Sequence, residues 1–171
     1  MPDISISLLN TLQAIDVSYY SCIISYSTED KKFADLIYTY LQEKNIQCWY
    51  APHDMILREK SYEHIRVAID SRDQVLLILS ENSMQSKWVK TEIVTAKQQE
   101  DKKGKRTLFP VSLVESSKIQ EWKLFDNDTG RDLAKQIREY HISSFYGITE
   151  EKTSYQNILG EIFEALNKVK A

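Results

Sequence analysis

The sequence predicts an α/β domain built on a parallel sheet with helices on both faces, and three observations carry that prediction. Short apolar runs alternate five times with segments of helical periodicity, the pattern of successive strand-helix units. The run Val75-Leu76-Leu77-Ile78-Leu79 is apolar at every position. A strand covered on both faces needs that, and a strand with one face in water does not. Finally, 171 residues at 42% hydrophobic and 27% charged suffice for one sizeable core, not for two full domains.

In chain order, residues 1–18 separate from the rest as an N-terminal extension or linker, and 19–171 form the domain. Leu8, Leu9, Leu12 and Ile15 recur at helical spacing, with Asp3, Ser5 or Ser7 as caps. That is the pattern of a short packing or self-association helix, of a connection to something upstream, or of a frayed terminus. The first strand is 21–26. Ser27-Thr28-Glu29-Asp30 then starts a helix, with Ser27 as N-cap and Asp30 near the favourable end of the dipole. Phe33, Leu36, Ile37, Tyr40 and Leu41 are its inward stripe, and it ends near Lys44-Asn45. A second strand covers 46–50. The loop 51–60 is long for an α/β connection, and loops of that length are more often functional than idle. A helix over 61–71 turns Tyr62, Ile65, Ala68 and Ile69 inward and leads to the third strand, 75–79. Residues 80–86 are rich in capping and turn types, and a helix begins near Lys87 or Trp88 with Val89, Ile93 and Ala96 packed on the sheet.

The fourth strand is 107–114, where Pro110 lacks one ladder donor and so predicts a bulge or a nearby edge. Over 115–138, Trp122, Leu124 and Phe125 read as a packed flap and 131–139 as a short helix. Asp126-Asn127-Asp128-Thr129-Gly130 suggests a calcium loop. The glycine falls one place early, however, and Ile137 stands where a bidentate Glu is needed, so the segment reads as a turn. A fifth strand is 141–145. Thr153-Ser154-Tyr155-Gln156 opens the last helix in a capping-box pattern, with Tyr155, Ile158, Leu159, Ile162, Phe163, Leu166 and Val169 as its buried face.

Charge and composition exclude several classes. A net charge of -3 and a pI near 5.7 leave no phosphate-neutralising surface, so nucleic acid is not expected as a partner. The basic run 97–106 reads as a solvated helix end. Cys22 and Cys48 fall in strands without zinc spacing, as buried reduced thiols of a cytoplasmic protein do. No stretch reads as a signal peptide or a membrane span.

Right-handed crossovers arrange five such strands in the order 2-1-3-4-5, a flavodoxin-like doubly wound sheet. Ligands of these sheets bind beyond the carboxyl ends of the strands, where strands 1 and 3 diverge. Residues 25–30, residues 79–86 and the start of the Trp88 helix meet there. Trp88 and Glu92 share a helical face, which places an aromatic ring and a carboxylate at the mouth of the crevice. The chain has only four glycines, none of them after strand 1, so a phosphate-cradling loop is excluded. Leu79-Ser80 stands where a phospho-accepting Asp would be required. His53, His64 and His141 pair with no nucleophile by any motif and read as surface or packing residues. A Trp-x-x-x-Glu spacing alone is more often a packed Trp beside a solvated Glu.

Taken together, Ile23-Ile24-Ser25-Tyr26-Ser27-Thr28-Glu29-Asp30, Cys48-Trp49-Tyr50-Ala51-Pro52-His53-Asp54-Met55, Leu76-Leu77-Ile78-Leu79-Ser80 and Trp88-Val89-Lys90-Thr91-Glu92 resemble a Toll/interleukin-1 receptor (TIR) domain of bacterial or cyanobacterial type. The resemblance covers about residues 19–168. It implies an NAD+ glycohydrolase that cleaves the nicotinamide-ribose bond, with or without cyclisation, as an effector of antiphage defence or cell suicide. The alternative it implies is a non-catalytic module acting through TIR-TIR contacts.

Glu92 falls on the family's catalytic glutamate. Trp88 would be an aromatic wall for the cationic nicotinamide, Tyr62 matches a stacking position, and Ser25 and Tyr26 match nucleotide-facing positions beyond strand 1. NAD+ enters as substrate, with no separate cofactor and no metal. Self-association and an upstream sensor protein or domain are the implied partners, without nucleic acid or membrane. The chain departs from the family at Leu57-Arg58-Glu59-Lys60, which lacks the usual glycine and proline. In enzymatic members this loop helps complete the site across a subunit interface, which implies weak cleavage in dilute protein that rises with self-association.

Overall fold

The structure, a computed structural model, describes residues 22–52, 69, 74–149 and 151–170. The N-terminal segment 1–18, the loop 53–60, Tyr62 and the rest of the 61–71 helix apart from Ile69 lie outside the described residues, as do His53 and His64. Ile69 itself is helical and buried.

Strand β1 (Cys22–Tyr26) is buried along its whole length, and so are β3 (Gln74–Leu79) and β4 (Leu108–Ser112). With β2 (Cys48–Pro52) and the two-residue β7 (Ser143–Ser144) they form one five-stranded sheet in the order β2-β1-β3-β4-β7. Every pairing in it is parallel. This is the doubly wound order expected from the crossover rule. Some boundaries differ from expectation: β2 begins two residues late, β4 covers Leu108–Ser112 and not 107–114, and the fifth strand pairs over Ser143–Ser144 alone. That short pairing explains Pro110. Ser112 O accepts from Phe145 N–H at 2.9 Å, so the even-numbered groups of β4 face β7. Pro110 points the same way, but β7 reaches only Val111 and Ser112, so no ladder donor is missed and no bulge is needed.

Alternation along the strands divides the core into two layers. On one face, Ile23, Val75, Leu77 and Leu79 pack with Val89, Ile93 and Ala96 of α3 (Val89–Lys103). Leu133, Ala134 and Ile137 of α5 (Leu133–Ile137) join them. On the other face, Ile24, Leu76 and Ile78 pack with Ala34, Ile37 and Leu41 of α1 (Lys31–Glu43) and with Tyr155, Leu159, Ile162 and Leu166 of α6 (Thr153–Lys170). Each such Val, Leu or Ile side chain removed from water contributes about 1.5–3 kcal/mol, which is why the uninterrupted apolar run of β3 sits centrally. Cys22 and Cys48 are buried, form no disulfide and stand at paired positions of β1 and β2.

Residues 80–86 are not all turn. They hold a four-residue helix, α2 (Glu81–Met84), ahead of α3. Beyond β4 come α4 (Ser116–Glu121) and a small hairpin of β5 (Phe125–Asp126) with β6 (Arg131–Asp132). In that hairpin the Asp126 carboxylate accepts from Thr129 N–H at 3.2 Å and from Thr129 Oγ1 at 2.7 Å, and Gly130 takes φ 70°, a turn as expected. Phe125, expected to pack in a flap with Trp122 and Leu124, is 55% exposed, whereas Trp122 is buried. The hairpin pleat turns Phe125 outward.

The end of the sheet opposite the crevice is closed by a polar cluster. The Tyr140 hydroxyl donates to the Glu100 carboxylate and accepts from Lys97 Nζ at 3.2 Å. Arg106 lies over the rings of Phe109 and Tyr140 at 4.4 and 5.4 Å from their centroids, and donates from Nε to Leu108 O at 2.9 Å. Burial, reinforced by the Glu100 carboxylate, pushes the Tyr140 phenol well above its ordinary range. Burial lowers Arg106.

Candidate functional site

Strand β1 hands the chain to α1 on one face, while β3 hands it to α2 and then α3 on the other. The two strands therefore part at their carboxyl ends, just beyond the register pair Ser25 and Leu77. Ser25 falls on the α3 face and is fully buried. Its hydroxyl donates to Glu92 Oε2, a side chain 67 residues later. Glu92 stands in the first turn of α3, where the helix dipole favours a carboxylate, and its N–H donates to Trp88 O at 3.0 Å. At 2% exposure it is as deeply covered as the core around it. Glu92 is thus not a solvated residue beside a packed Trp: both are buried.

Trp88 precedes α3 in helical conformation, and its N–H donates to Ser86 Oγ at 3.3 Å. The residue is 7% exposed and packs in the cluster that holds Met84, Val89 and Leu79. Ser25, Trp88 and Glu92 are therefore brought together. Tyr26 is not. One residue after Ser25, it faces the opposite layer with Ala34 and Ile37, where burial raises its phenol, offset in part by Lys31. Tyr62 lies outside the described residues.

Two further contacts at the crevice were not foreseen. Ser80 Oγ donates to Asp30 Oδ2, across 50 residues of sequence, and Ser27 Oγ donates to Glu29 Oε2. Ser27 was expected to cap the helix backbone, but it makes no side-chain cap bond and serves the neighbouring carboxylate instead. The Ser27-to-Asp30 stretch and Ser80 stood out in the sequence only as local start signals. Nothing local says that residues 50 apart will meet, because the strand order alone brings them together.

The arrangement offers one buried carboxylate, oriented by a hydroxyl, at the divide between the carboxyl ends of β1 and β3, with Glu29 and Asp30 in the turn that follows β1. Among the described residues no group of three or more His, Cys, Asp or Glu side chains is placed to hold a metal ion. His141, exposed and 3.9 Å from Glu161, precedes β7 at the amino end of the sheet, away from the carboxyl-end divide where Glu92 lies. No described helix is long and apolar enough to cross a membrane.

Comparisons with known proteins agree on the fold. A TIR-STING receptor from C. gigas in complex with 2',3'-cGAMP matches with TM-score 0.58 at 21% identity, over 86% of this chain and 39% of that one. This chain thus spans well under half of that receptor. The TIR domains of the activated Roq1 resistosome, which recognises the pathogen effector XopQ, match with TM-score 0.63 at 16% identity, over 86% and 99% of the two chains. The heterodimer of the RPS4 and RRS1 TIR domains matches with TM-score 0.56 at 13% identity, over 86% and 96%. No functionally curated protein matches the chain. The family model for the TIR domain matches residues 23–145, which include β1 from Ile23 onward, Glu92 with its partner Ser25, and all of α3, and the chain belongs to the TIR domain family.

Proposed function

We propose that this TIR domain is an NAD+ glycohydrolase that cleaves the nicotinamide-ribose bond beside Glu92. The family contains such enzymes, and the observation that carries the reading here is the buried Glu92 carboxylate held by the Ser25 hydroxyl at the strand 1 and 3 divide. One carboxylate suffices for this reaction. The bond from C1′ to the pyridinium nitrogen breaks, and both electrons leave with nicotinamide, which departs neutral and needs no general acid. The positive charge passes to an oxocarbenium-like ribose, which a fixed carboxylate stabilises while accepting from the ribose hydroxyls. Water then adds at C1′ and loses a proton, giving ADP-ribose, or a base nitrogen of the same molecule adds and gives a cyclic product.

Trp88 and Ser25 supply the wall and the orienting donor in this reading, and Tyr62 the stacking ring. An effector role in bacterial immunity and control by self-association come with the family reading. The test is chromatography of NAD+ incubated with concentrated wild-type chain and with Glu92→Ala. Nicotinamide release by the wild type alone is expected. Release by both, or by neither under conditions that promote assembly, removes Glu92 from the mechanism.

One observation favours a second reading. At 2% exposure for Glu92 and 7% for Trp88, neither meets a ligand unless the crevice opens, as suits a module that only assembles. Concentration-dependent sedimentation without turnover would select it.

A further inference from the structure

The crevice is spanned a second time, outside the Ser25 to Glu92 bond. Ser80 follows β3, is 5% exposed, and caps α2: its Oγ accepts from Ser83 N–H at 3.1 Å, while Ser83 Oγ accepts from Ser80 N–H at 2.8 Å. Ser83 Oγ also donates to Ile78 O at 2.7 Å, which fixes the cap to the strand. The cap uses the Ser80 hydroxyl only as an acceptor. Its own hydroxyl hydrogen goes across the crevice to Asp30 Oδ2. Asp30 closes the 3-10 turn Thr28–Asp30, held by its N–H to Ser27 O at 2.8 Å, and is the N-cap position of α1.

We propose that Asp30 and Ser80 form a clasp that positions Glu92 against Ser25, so that both are positioning residues for the reaction at Glu92. The inference rests on the glycohydrolase reading. The path is short and covalent on both sides. From Ser80 the chain runs through α2 to Ser86, whose Oγ receives the Trp88 N–H, and Trp88 opens the helix that carries Glu92. From Asp30 it runs back through a single turn to β1, which ends in Ser25 and Tyr26. A four-residue helix has almost no stability of its own, so the connector holds its place only through what fixes its ends. The clasp ties it to the opposite wall, and the reactive geometry tolerates displacements of well under about 1 Å.

Two variants separate the clasp from the cap. Asp30→Ala removes the clasp and leaves Ser80 accepting from Ser83 N–H. Ser83→Ala breaks the cap and leaves the clasp. The full chain is assayed for nicotinamide release at a concentration where the wild type is active, with melting temperatures alongside. Asp30→Ala is expected to lower kcat about tenfold or more with KM nearly unchanged. Asp30→Asn, which keeps an acceptor oxygen, restores most of the rate, and adding Ser80→Ala to Asp30→Ala lowers it no further. Ser83→Ala lowers the melting temperature and keeps kcat. The clasp alone is overturned if Asp30→Ala keeps wild-type kcat, or if Ser83→Ala loses as much as Asp30→Ala. If the wild type releases no nicotinamide under any condition, the Glu92 reading falls and the clasp with it.

Discussion

Deleting the Ser25 hydroxyl removes one oxygen from a place where nothing is exposed: Ser25 is at 0% and Glu92 at 2%. A hydrogen bond donated to a buried carboxylate contributes about 1.5–3 kcal/mol. In a domain of this size each kcal/mol moves the melting temperature by roughly 2–4 °C, so Ser25→Ala is expected to lower Tm by about 3–12 °C. Glu92→Gln keeps the shape of the side chain and an acceptor oxygen for Ser25. It should cost less than about 1.5 kcal/mol while abolishing nicotinamide release. The decisive assay is a double-mutant cycle in chemical denaturation with Ser25→Ala, Glu92→Ala and the pair. If the hydroxyl and the carboxylate are partners, the double variant is less destabilised than the sum by more than about 1 kcal/mol. Additivity to within about 0.5 kcal/mol would refute the pairing, and with it the account of how Glu92 is oriented. Turnover gives an independent reading, because Ser25→Ala should lose kcat as well as stability when the donor sets the carboxylate's angle.

Three further outcomes follow from elements remote from the crevice. The Tyr140 phenol is raised above its ordinary value of 10.0 by burial and then by Glu100. Above pH 10 the unfolded chain thus loses a proton that the folded chain keeps, and stability falls as pH rises. Tyr140→Phe should remove up to about 1.4 kcal/mol per pH unit of that slope, measured by denaturant unfolding between neutral pH and pH 11; an unchanged slope would contradict the placement of the phenol. Arg106→Lys keeps the charge but loses the planar stack over Phe109 and Tyr140, and about 1–2 kcal/mol of stability should go with it, visible as a shifted denaturation midpoint. Gly104 ends α3 at φ 65° with its N–H donated to Glu100 O at 2.9 Å, so Gly104→Ala should cost about 1–2 kcal/mol, although open space surrounds the position. A melting temperature equal to wild type would refute that backbone argument.

Most of the sheet was legible because its signal is one of composition. A strand buried on both faces must be apolar throughout, and 75–79 can be little else; the crossover rule then orders the strands without any side-chain information. Short elements were harder to read. Ser80 and Ser83 build a capping box from two serines where the usual pattern has Glu or Gln at the second position, so α2 passed for a turn. The two-residue β7 carries no periodicity at all. In the site, Trp88 and Glu92 were visible as a helical pair, but the partner of Glu92 was not. Ser25 and Tyr26 sit side by side at a strand end and look equally suited to a ligand. Only the pleat separates them, sending Ser25 to α3 and Tyr26 to α1. The Asp30 to Ser80 bond depends on where two loops end in space, which no local pattern encodes.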